Sequence, residues 1–176
     1  MKADQVIARA QELLKDKVLE AKAEGDLPCI RVEAGNLTKA LSTLKQDEEL
    51  HLNWLEWLTF VDYPEKNELE GLYLLYSLDK RHKLMVKIKL NRQKPKLDSL
   101  ALLWWGASWH ENEAYDLFGV TFEGHPDPRR LLTHEGIGGY PLRKDFRSAE
   151  MLSAEEEHKK AKPTAKPDSK MRAKKG

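Results

Sequence analysis

The chain has 176 residues, of which 40% are hydrophobic and 34% are charged, and this length suits one domain with a substantial core. Cys29 is the sole cysteine, which excludes an intramolecular disulfide and a cysteine-ligated zinc or iron–sulfur site within the chain. No apolar run approaches the roughly 18 residues of a membrane span, and the first ten residues lack a signal-peptide core. We therefore expect membrane contact only through partners.

The formal net charge of +1 is unevenly distributed. From Ser153 onward there are eight Lys or Arg against four Asp or Glu, which leaves residues 1–152 with about −3. This end is rich in Lys, Ala, Pro and Glu and cannot bury enough apolar surface to offset its ordering entropy. We expect a Lys-rich tail at residues 153–176, disordered or ordered by partners. Abundant Lys and Glu beside scarce Asn, Gln and Cys is typical of thermophile proteins.

The first fifty residues predict two helices and a strand. Apolar residues at three- and four-residue spacing predict a helix over 3–22, ended by Gly25. Residues 29–32 alternate as a short strand. Asn36 is a candidate N-cap for a second helix, whose apolar side would consist of Leu37, Ala40, Leu41 and Leu44.

The middle of the chain predicts a sheet that is at least partly antiparallel. Residues 51–62 are a dense aromatic and branched run, which favours a buried strand, and Pro64 ends it. Residues 72–78 and 84–90 flank a polar link, and the second run alternates branched residues with Lys. This pattern indicates an antiparallel hairpin with one face in water.

Two more helices are predicted after the hairpin. Asp98 is a candidate cap for a helix that runs to Trp105 and ends at Gly106. Ser108 and the acidic residue three positions later match a capping box for another helix, which ends at Gly119. The acidic residues expected to face outward from this last helix are Glu111, Glu113 and Asp116.

The hydrophobic periodicity disappears after Gly119 for about thirty residues, in which prolines interrupt ladders and glycines permit turns. Arg129 and Arg130 are adjacent in a stretch that the flanking prolines favour as extended, so their side chains leave on opposite sides. One guanidinium can then bind a carboxylate of its own domain while the other reaches a partner. A segment of this kind, without a core pattern, is expected to lie on another protein.

Catalytic motifs give weak signals. The HENEA sequence at His110 lacks the second His of a zinc-protease helix, because residue 114 is Ala. A free-standing metal-dependent hydrolase that uses His110, Glu111 and Glu113 remains an alternative. Another alternative is nucleic-acid binding through the basic tail, although the tail lacks interleaved aromatic residues.

Three motifs near the end of the chain point to a family: WHENEAYDLFG at 109–119, GHPDPRRLL at 124–132 and PLRKD at 141–145. In order and spacing they closely resemble the C-subunit family of NADH-quinone oxidoreductase, or respiratory complex I. That family has counterparts in membrane-bound nickel–iron hydrogenases and related archaeal complexes. The chain departs from the family's usual residues at Asn112, Pro128 and Tyr140, and a usual Trp before Tyr140 is missing. These departures favour a hydrogenase-type or related archaeal complex.

The resemblance implies an α+β fold with a small mixed, largely antiparallel sheet and packed helices over residues 1–119. It implies an extended partner-wrapping segment over residues 120–152, before the tail. The chain would then be a structural subunit of the hydrophilic arm of a membrane-bound, ion-translocating oxidoreductase, with no active site or cofactor of its own. The role of this subunit would be to dock the large hydrogenase-like catalytic subunit next to iron–sulfur subunits on the cytoplasmic side of the membrane. The acidic body and the lack of aromatic residues in the tail argue separately against nucleic acid as a partner.

In this interpretation, partner subunits hold the iron–sulfur clusters and, in hydrogenase-type complexes, a nickel–iron centre. The residues of this chain that contact partners can be carried over position by position from the family motifs. They are Glu111, Glu113, Tyr115, Asp116, Phe118, Gly119, His125, Pro126, Asp127, Arg129, Arg130, Arg143, Lys144 and Asp145.

Overall fold

The computed structural model describes residues 1–148, so the predicted Lys-rich tail lies outside the described residues. Three α-helices and seven strands occur within this described part of the chain. In chain order they are α1 (Ala3–Leu14), β1 (Val18–Glu24), β2 (Leu27–Val32), α2 (Leu37–Gln46), β3 (Trp54–Tyr63), β4 (Glu68–Tyr76), β5 (Lys83–Asn91), β6 (Lys96–Asp98), α3 (Ala107–Phe118) and β7 (Thr121–Glu123).

The main sheet has five strands in the order β1-β2-β5-β4-β3. β2 and β5 run parallel, whereas the other three neighbouring pairs are antiparallel. β6 and β7 form a separate two-stranded parallel sheet. The predicted α+β class with a mixed, largely antiparallel sheet is therefore confirmed.

One hydrophobic core joins the three helices to the main sheet. Leu14, Leu41 and Phe118, one from each helix, belong to the same buried cluster as alternate residues of the strands, such as Ile30 and Ile88. Full burial of such a side chain stabilises the fold by about 2 kcal/mol relative to exposure. The helices therefore cover one face of the sheet, and α3 packs on the edge strand β3.

The predicted helix over residues 3–22 is wrong in its second half. α1 ends at Leu14, and Lys15 adopts φ +52°, outside the helical region. Residues Val18–Glu24 instead pair with β2 in a hairpin whose turn contains Gly25 at φ +64°. The apolar residues of β1 fit helical spacing as well as strand spacing, and the pairing with β2 decides between them. The predictions for β2, α2, β3 and the β4–β5 hairpin are confirmed.

The predicted helix from Asp98 to Trp105 is also wrong. Asp98 ends β6, and residues 101–103 form a turn. The helical hydrogen bonding is limited to one turn here: the N–H groups of Leu103 and Trp104 both donate to the carbonyl of Leu100, at 2.8 and 2.9 Å. The N–H of Leu100 donates to the Glu111 carboxylate at 2.6 Å, which holds this turn against the next helix. This turn leaves the side chain of Trp105 largely exposed.

Candidate functional site

The first half of α3 contains a buried carboxylate, that of Glu111, contrary to the outward orientation predicted for it. Glu111 Oε2 accepts a hydrogen bond from the Ser99 hydroxyl at 2.6 Å, and Oε1 accepts one from the Leu100 N–H at 2.6 Å. Burial raises the pKa of Glu111, and these two bonds oppose only part of that rise. The predicted capping box is wrong, because the helix begins at Ala107 and the Ser108 hydroxyl donates to Trp105 O. Glu111 thus fastens α3 to the end of β6.

His125 connects the turn after β7 to the same end of α3. Its Nδ1 accepts a hydrogen bond from the Asp127 N–H at 3.0 Å, and its Nε2 lies 3.0 Å from the carbonyl oxygen of Ser108. This arrangement assigns the ring proton to Nε2, which donates to that carbonyl. Glu111 Oε2 lies 3.8 Å from the same nitrogen. His125, which the family motifs suggested as a partner contact, therefore makes these hydrogen bonds within its own domain.

Asn112 positions the residues on either side of Pro128. Its Nδ2 donates to the carbonyl of Asp127 at 3.1 Å, and its Oδ1 accepts from the N–H of Arg129 at 3.1 Å. Both are backbone groups, so the side-chain amide acts as a clamp that holds this stretch against α3. Two of the positions at which the sequence departs from the family pattern, 112 and 128, are thus adjacent in space.

The carboxylate of Asp116 is the strongest anchor of this region, although it was predicted to face outward. Its Oδ2 accepts hydrogen bonds from the N–H groups of Leu131, Leu132 and Thr133 at 3.0, 2.7 and 2.9 Å. Its Oδ1 accepts from Arg130 Nη1 at 3.0 Å and from the Thr133 hydroxyl. Burial opposes its ionisation, but the bonds from Thr133 and from the backbone N–H groups prevail and lower the pKa of Asp116 to about 2.

Tyr140 covers the end of α3. Gly119 ends the helix at φ +71°, and a Cβ at that position would lie 2.3 Å from the Tyr140 ring. The guanidinium carbons of Arg143 and Arg130 lie 4.8 and 5.8 Å from the centre of the same ring. Arg143 Nε also donates to the carbonyl of Phe118 at 2.7 Å. The helix end, the ring and both arginines therefore form one packed unit.

Asp62 and Arg92 bind the chain at Lys144 and Asp145. Neither Asp62 nor Arg92 was among the predicted contact residues. Asp62 accepts hydrogen bonds from Arg92 Nε at 2.6 Å and from the N–H of Lys144 at 2.8 Å. Arg92 Nη2 also binds Asp145 at 2.6 Å. Burial opposes the ionisation of Asp62, but these bonds lower its pKa. A signal was present in the sequence, since Asp62 follows Phe60 by two residues and so is a charged residue on the core-facing side of β3.

We call residues 124–146 the strap. The structure brings the predicted site residues together along α3 and the strap, but several of them, including Glu111, Asp116 and Arg130, bind within the chain. Arg130 binds Asp116 while Arg129 lies exposed beside Asp127 at 3.3 Å, so the predicted opposite orientation of the two arginines is confirmed. The predicted residues with exposed side chains are Glu113, Pro126, Asp127, Arg129, Lys144 and Asp145, and Tyr115 is half-buried.

Exposed apolar side chains lie on the strap and beside it, and the sequence-based prediction missed them. Leu132 is 67% exposed and Leu142 50% on the strap. Trp105, 82% exposed, and Trp109 line a cleft of about 270 Å³ with strap residues, including Arg129. We call this the tryptophan cleft. Exposed apolar patches on soluble proteins mark interaction sites, which makes this cleft a candidate docking site.

The alternative metal site at His110, Glu111 and Glu113 is not assembled. Glu111 binds Ser99 and Leu100, while the Glu113 side chain is exposed. Residues 1–148 contain no group of three or more His, Cys, Asp or Glu side chains arranged to hold a metal ion. Among the same residues, no helix has the length and apolar character needed to cross a membrane.

The similarity of this chain to known proteins extends over both the main sheet and the strap. Residues 30–151 match the family described as respiratory-chain NADH dehydrogenase, 30 Kd subunit. The C subunit of NADH-quinone oxidoreductase from Moorella thermoacetica is 42% identical over 144 residues, which are 82% of this chain and 95% of that protein. Its counterpart from Roseiflexus castenholzii is 38% identical over 142 residues, or 80% and 81% of the two chains.

Two solved structures share the fold. One is a chain from the membrane-bound sulfane sulfur reductase, an archaeal respiratory membrane complex, with a TM-score of 0.73 and 24% identity over 97% of this chain and 98% of that one. The other is the trypsin-resistant fragment of Nqo5, with a TM-score of 0.60 and 22% identity over 72% of this chain and 99% of the fragment.

Proposed function

The chain belongs to the family of the 30 kDa subunit of respiratory-chain NADH dehydrogenase, and we propose that it is a structural subunit without an active site. In this proposal the outer side of the strap and the tryptophan cleft dock the large catalytic subunit of a complex I-like membrane assembly. Neighbouring subunits hold the iron–sulfur clusters, and the chain lies in the hydrophilic arm on the cytoplasmic side of the membrane.

The observation that carries the proposal is the two-sided character of the strap. Asp116 takes up three backbone N–H groups of residues 131–133, so the inner side of the strap is fixed to α3. The outer side keeps Leu132 and Leu142 in water. An isolated protein gains nothing from holding large apolar groups rigidly in solvent, whereas an interface gains affinity from groups that are already ordered.

The tryptophan cleft adds the side chains that most often dominate protein–protein binding. Trp and Arg are enriched among residues whose truncation costs an interface about 2 kcal/mol or more. Trp105, Trp109 and Arg129 line the cleft, and Arg129 is paired only with the exposed Asp127 among the residues described. A partner carboxylate placed there can compete for Arg129 while an apolar side chain enters between the tryptophans.

The proposal leaves two types of parent complex, the hydrogenase type and the NADH-quinone type. Asn112 and Tyr140, two of the departures from the family pattern, are both engaged in contacts within the chain. They therefore alter how the strap is held, and a hydrogenase-type parent and an NADH-quinone type parent both fit a chain of this design. Purification of the tagged chain from its host, followed by identification of the accompanying subunits, distinguishes the two.

A matched pair of leucine variants tests the docking surface. Leu132→Asp places a charge on the strap, and Leu19→Asp places the same charge on β1, where Leu19 is 54% exposed. We expect Leu132→Asp to lose the large subunit on purification while Leu19→Asp retains it, and both variants should melt within a few degrees of the wild type. Retention of the large subunit by Leu132→Asp would contradict the proposal.

A further inference from the structure

A second cleft, of about 520 Å³, lies on the face of the main sheet that the helices leave open. Trp54 of β3, Tyr76 of β4 and Lys83 of β5 are direct cross-strand neighbours. Their chain neighbours Leu55, Leu75 and Leu84 point into the core, so the row that contains Trp54 points away from it. The cleft lining contains no strap residue.

The floor of this cleft is apolar and exposed. Trp54 is 51% exposed and Leu78 is 56% exposed, and both line the cleft together with Tyr76. Trp54 lies on β3, which is an edge strand of the described sheet, so it has a strand neighbour there on one side only. A large aromatic residue held on a sheet and left half in water is the kind of group that interfaces use as an anchor.

The wall of the cleft is cationic. Arg81 and Lys83 line it, and neither side chain has an ion-pair partner among residues 1–148. The nearby Asp79 is already engaged with His51 at 2.8 Å and with Asn53. Glu56 is the acidic residue of the lining. Burial lowers the pKa of His82, so its ring adds no positive charge to this wall at neutral pH.

Arg81 lies on a well-ordered turn that leads into β5 at Lys83. The N–H of Ser77 donates to His82 O at 2.9 Å, and the N–H of Arg81 donates to Ser77 O at 2.9 Å. The N–H of Leu78 donates to Asn53 Oδ1 at 3.1 Å, which fixes the turn to the chain just before β3. Order that exists before binding lowers the entropy that a partner must offset.

We propose that this cleft binds an acidic segment of a neighbouring subunit that carries one aromatic or branched side chain. The apolar side chain lies between Trp54 and Leu78, and its neighbouring carboxylate binds Arg81 and Lys83. Charge complementarity selects this occupant, because an apolar floor beside cations that pair with no described residue favours a segment that offers both an apolar group and a negative charge. The chain then has two separate attachment surfaces, the strap and this cleft.

Zero-length cross-linking of the purified native complex tests the proposal. A carbodiimide joins an amine to a carboxylate only where the two groups already touch, and peptide sequencing then locates the joined residues. We expect Lys83 to be joined to an Asp or Glu of another subunit that lies within two residues of an aromatic or branched side chain. Lys39, an exposed residue of α2, should give no such product.

Charge reversal provides the second measurement. Lys83→Glu is expected to reduce recovery of the cross-linked subunit about tenfold, the equivalent of about 1.4 kcal/mol, whereas Lys39→Glu leaves it unchanged. If Lys83→Glu lowers the melting temperature of the isolated chain, the double variant Lys83→Gln/Trp54→Ala is used in its place, with the same expected loss of the cross-linked subunit. The proposal is overturned if Lys83 forms no intersubunit product in the intact complex, or if both reversals leave the complex equally intact.

Discussion

The carboxylate of Asp62 accepts a hydrogen bond from the backbone N–H of Lys144 at 2.8 Å, across 82 residues of sequence. Arg92 bridges the same carboxylate to Asp145, so the end of the strap is held by the sheet as well as by α3. The strap is therefore an ordered part of the domain surface before any partner binds.

Asp116→Asn should loosen the strap more than any other single charge removal on α3. The amide cannot accept all five hydrogen bonds that the carboxylate accepts. We expect a loss of about 3 kcal/mol in the free energy of unfolding and faster hydrogen exchange at residues 131–133. The control is Glu113→Gln on the exposed side of the same helix, which should change stability by less than about 0.5 kcal/mol. Equal effects from the two variants would rule out the anchor role.

The stability of the protein should fall in acid in a way that Asp116 partly explains. The pKa of Asp116 is lowered in the folded protein from 3.8 to about 2. Its contribution is therefore present above the unfolded value and is lost as the pH falls through about 2, and it amounts to about 2 kcal/mol. Burial raises the pKa of Glu111, so the contribution of Glu111 to stability changes with pH in the opposite direction and is larger in acid than at neutral pH. Denaturant unfolding at several pH values should show a smaller acid loss for Asp116→Asn than for the wild type.

Gly119 and Gly124 offer a matched test of the contact with Tyr140. Both have positive φ, +71° and +75°, but only a Cβ at 119 would meet the ring, whereas a Cβ at 124 would meet no atom within 4 Å. Gly124→Ala should cost about 1 kcal/mol for the backbone conformation alone. Gly119→Ala should cost at least about 1 kcal/mol more. If the two melting temperatures fall equally, the packing of Tyr140 on the helix end does not contribute.

Arg129 and Arg130 should separate assembly from folding. Arg130 binds the buried carboxylate of Asp116, so Arg130→Ala should lower the free energy of unfolding by about 2 kcal/mol. Arg129 is exposed, so Arg129→Ala should leave stability within about 0.5 kcal/mol. In a binding assay with the large subunit, Arg129→Ala should nevertheless weaken the complex. If Arg129→Ala instead lowered stability and Arg130→Ala weakened only the complex, the side of the strap that carries Arg130 would be the one that faces the partner.

The predictions that held come from patterns with a clear period. The β4–β5 hairpin alternates, and α2 has its apolar residues on one side, so in both cases the local sequence and the core favour the same structure. β1 has no such agreement, because its apolar residues also continue the pattern of α1. Only its pairing with β2 defines it as a strand.

The anchors of the strap escaped prediction for a different reason. A carboxylate on a helix is normally exposed, because burying it without partners costs more than the fold recovers. Asp116 and Glu111 are buried because Thr133 and Ser99, 17 and 12 residues away, supply the missing hydrogen bonds. Helical periodicity contains no information about such distant partners, so the family resemblance singled out these residues but not their role in holding the strap.

Hydroxyl-radical footprinting of exposed side chains tests the docking surface most directly. The isolated chain and the purified complex are oxidised under the same conditions, and modification is read at Trp105, Leu132, Leu142 and the control Leu19. We expect strong modification of all four in the isolated chain, since all are at least half exposed. In the complex, the first three should be protected and Leu19 should not. Equal modification of Trp105, Leu132 and Leu142 in both states would contradict the account.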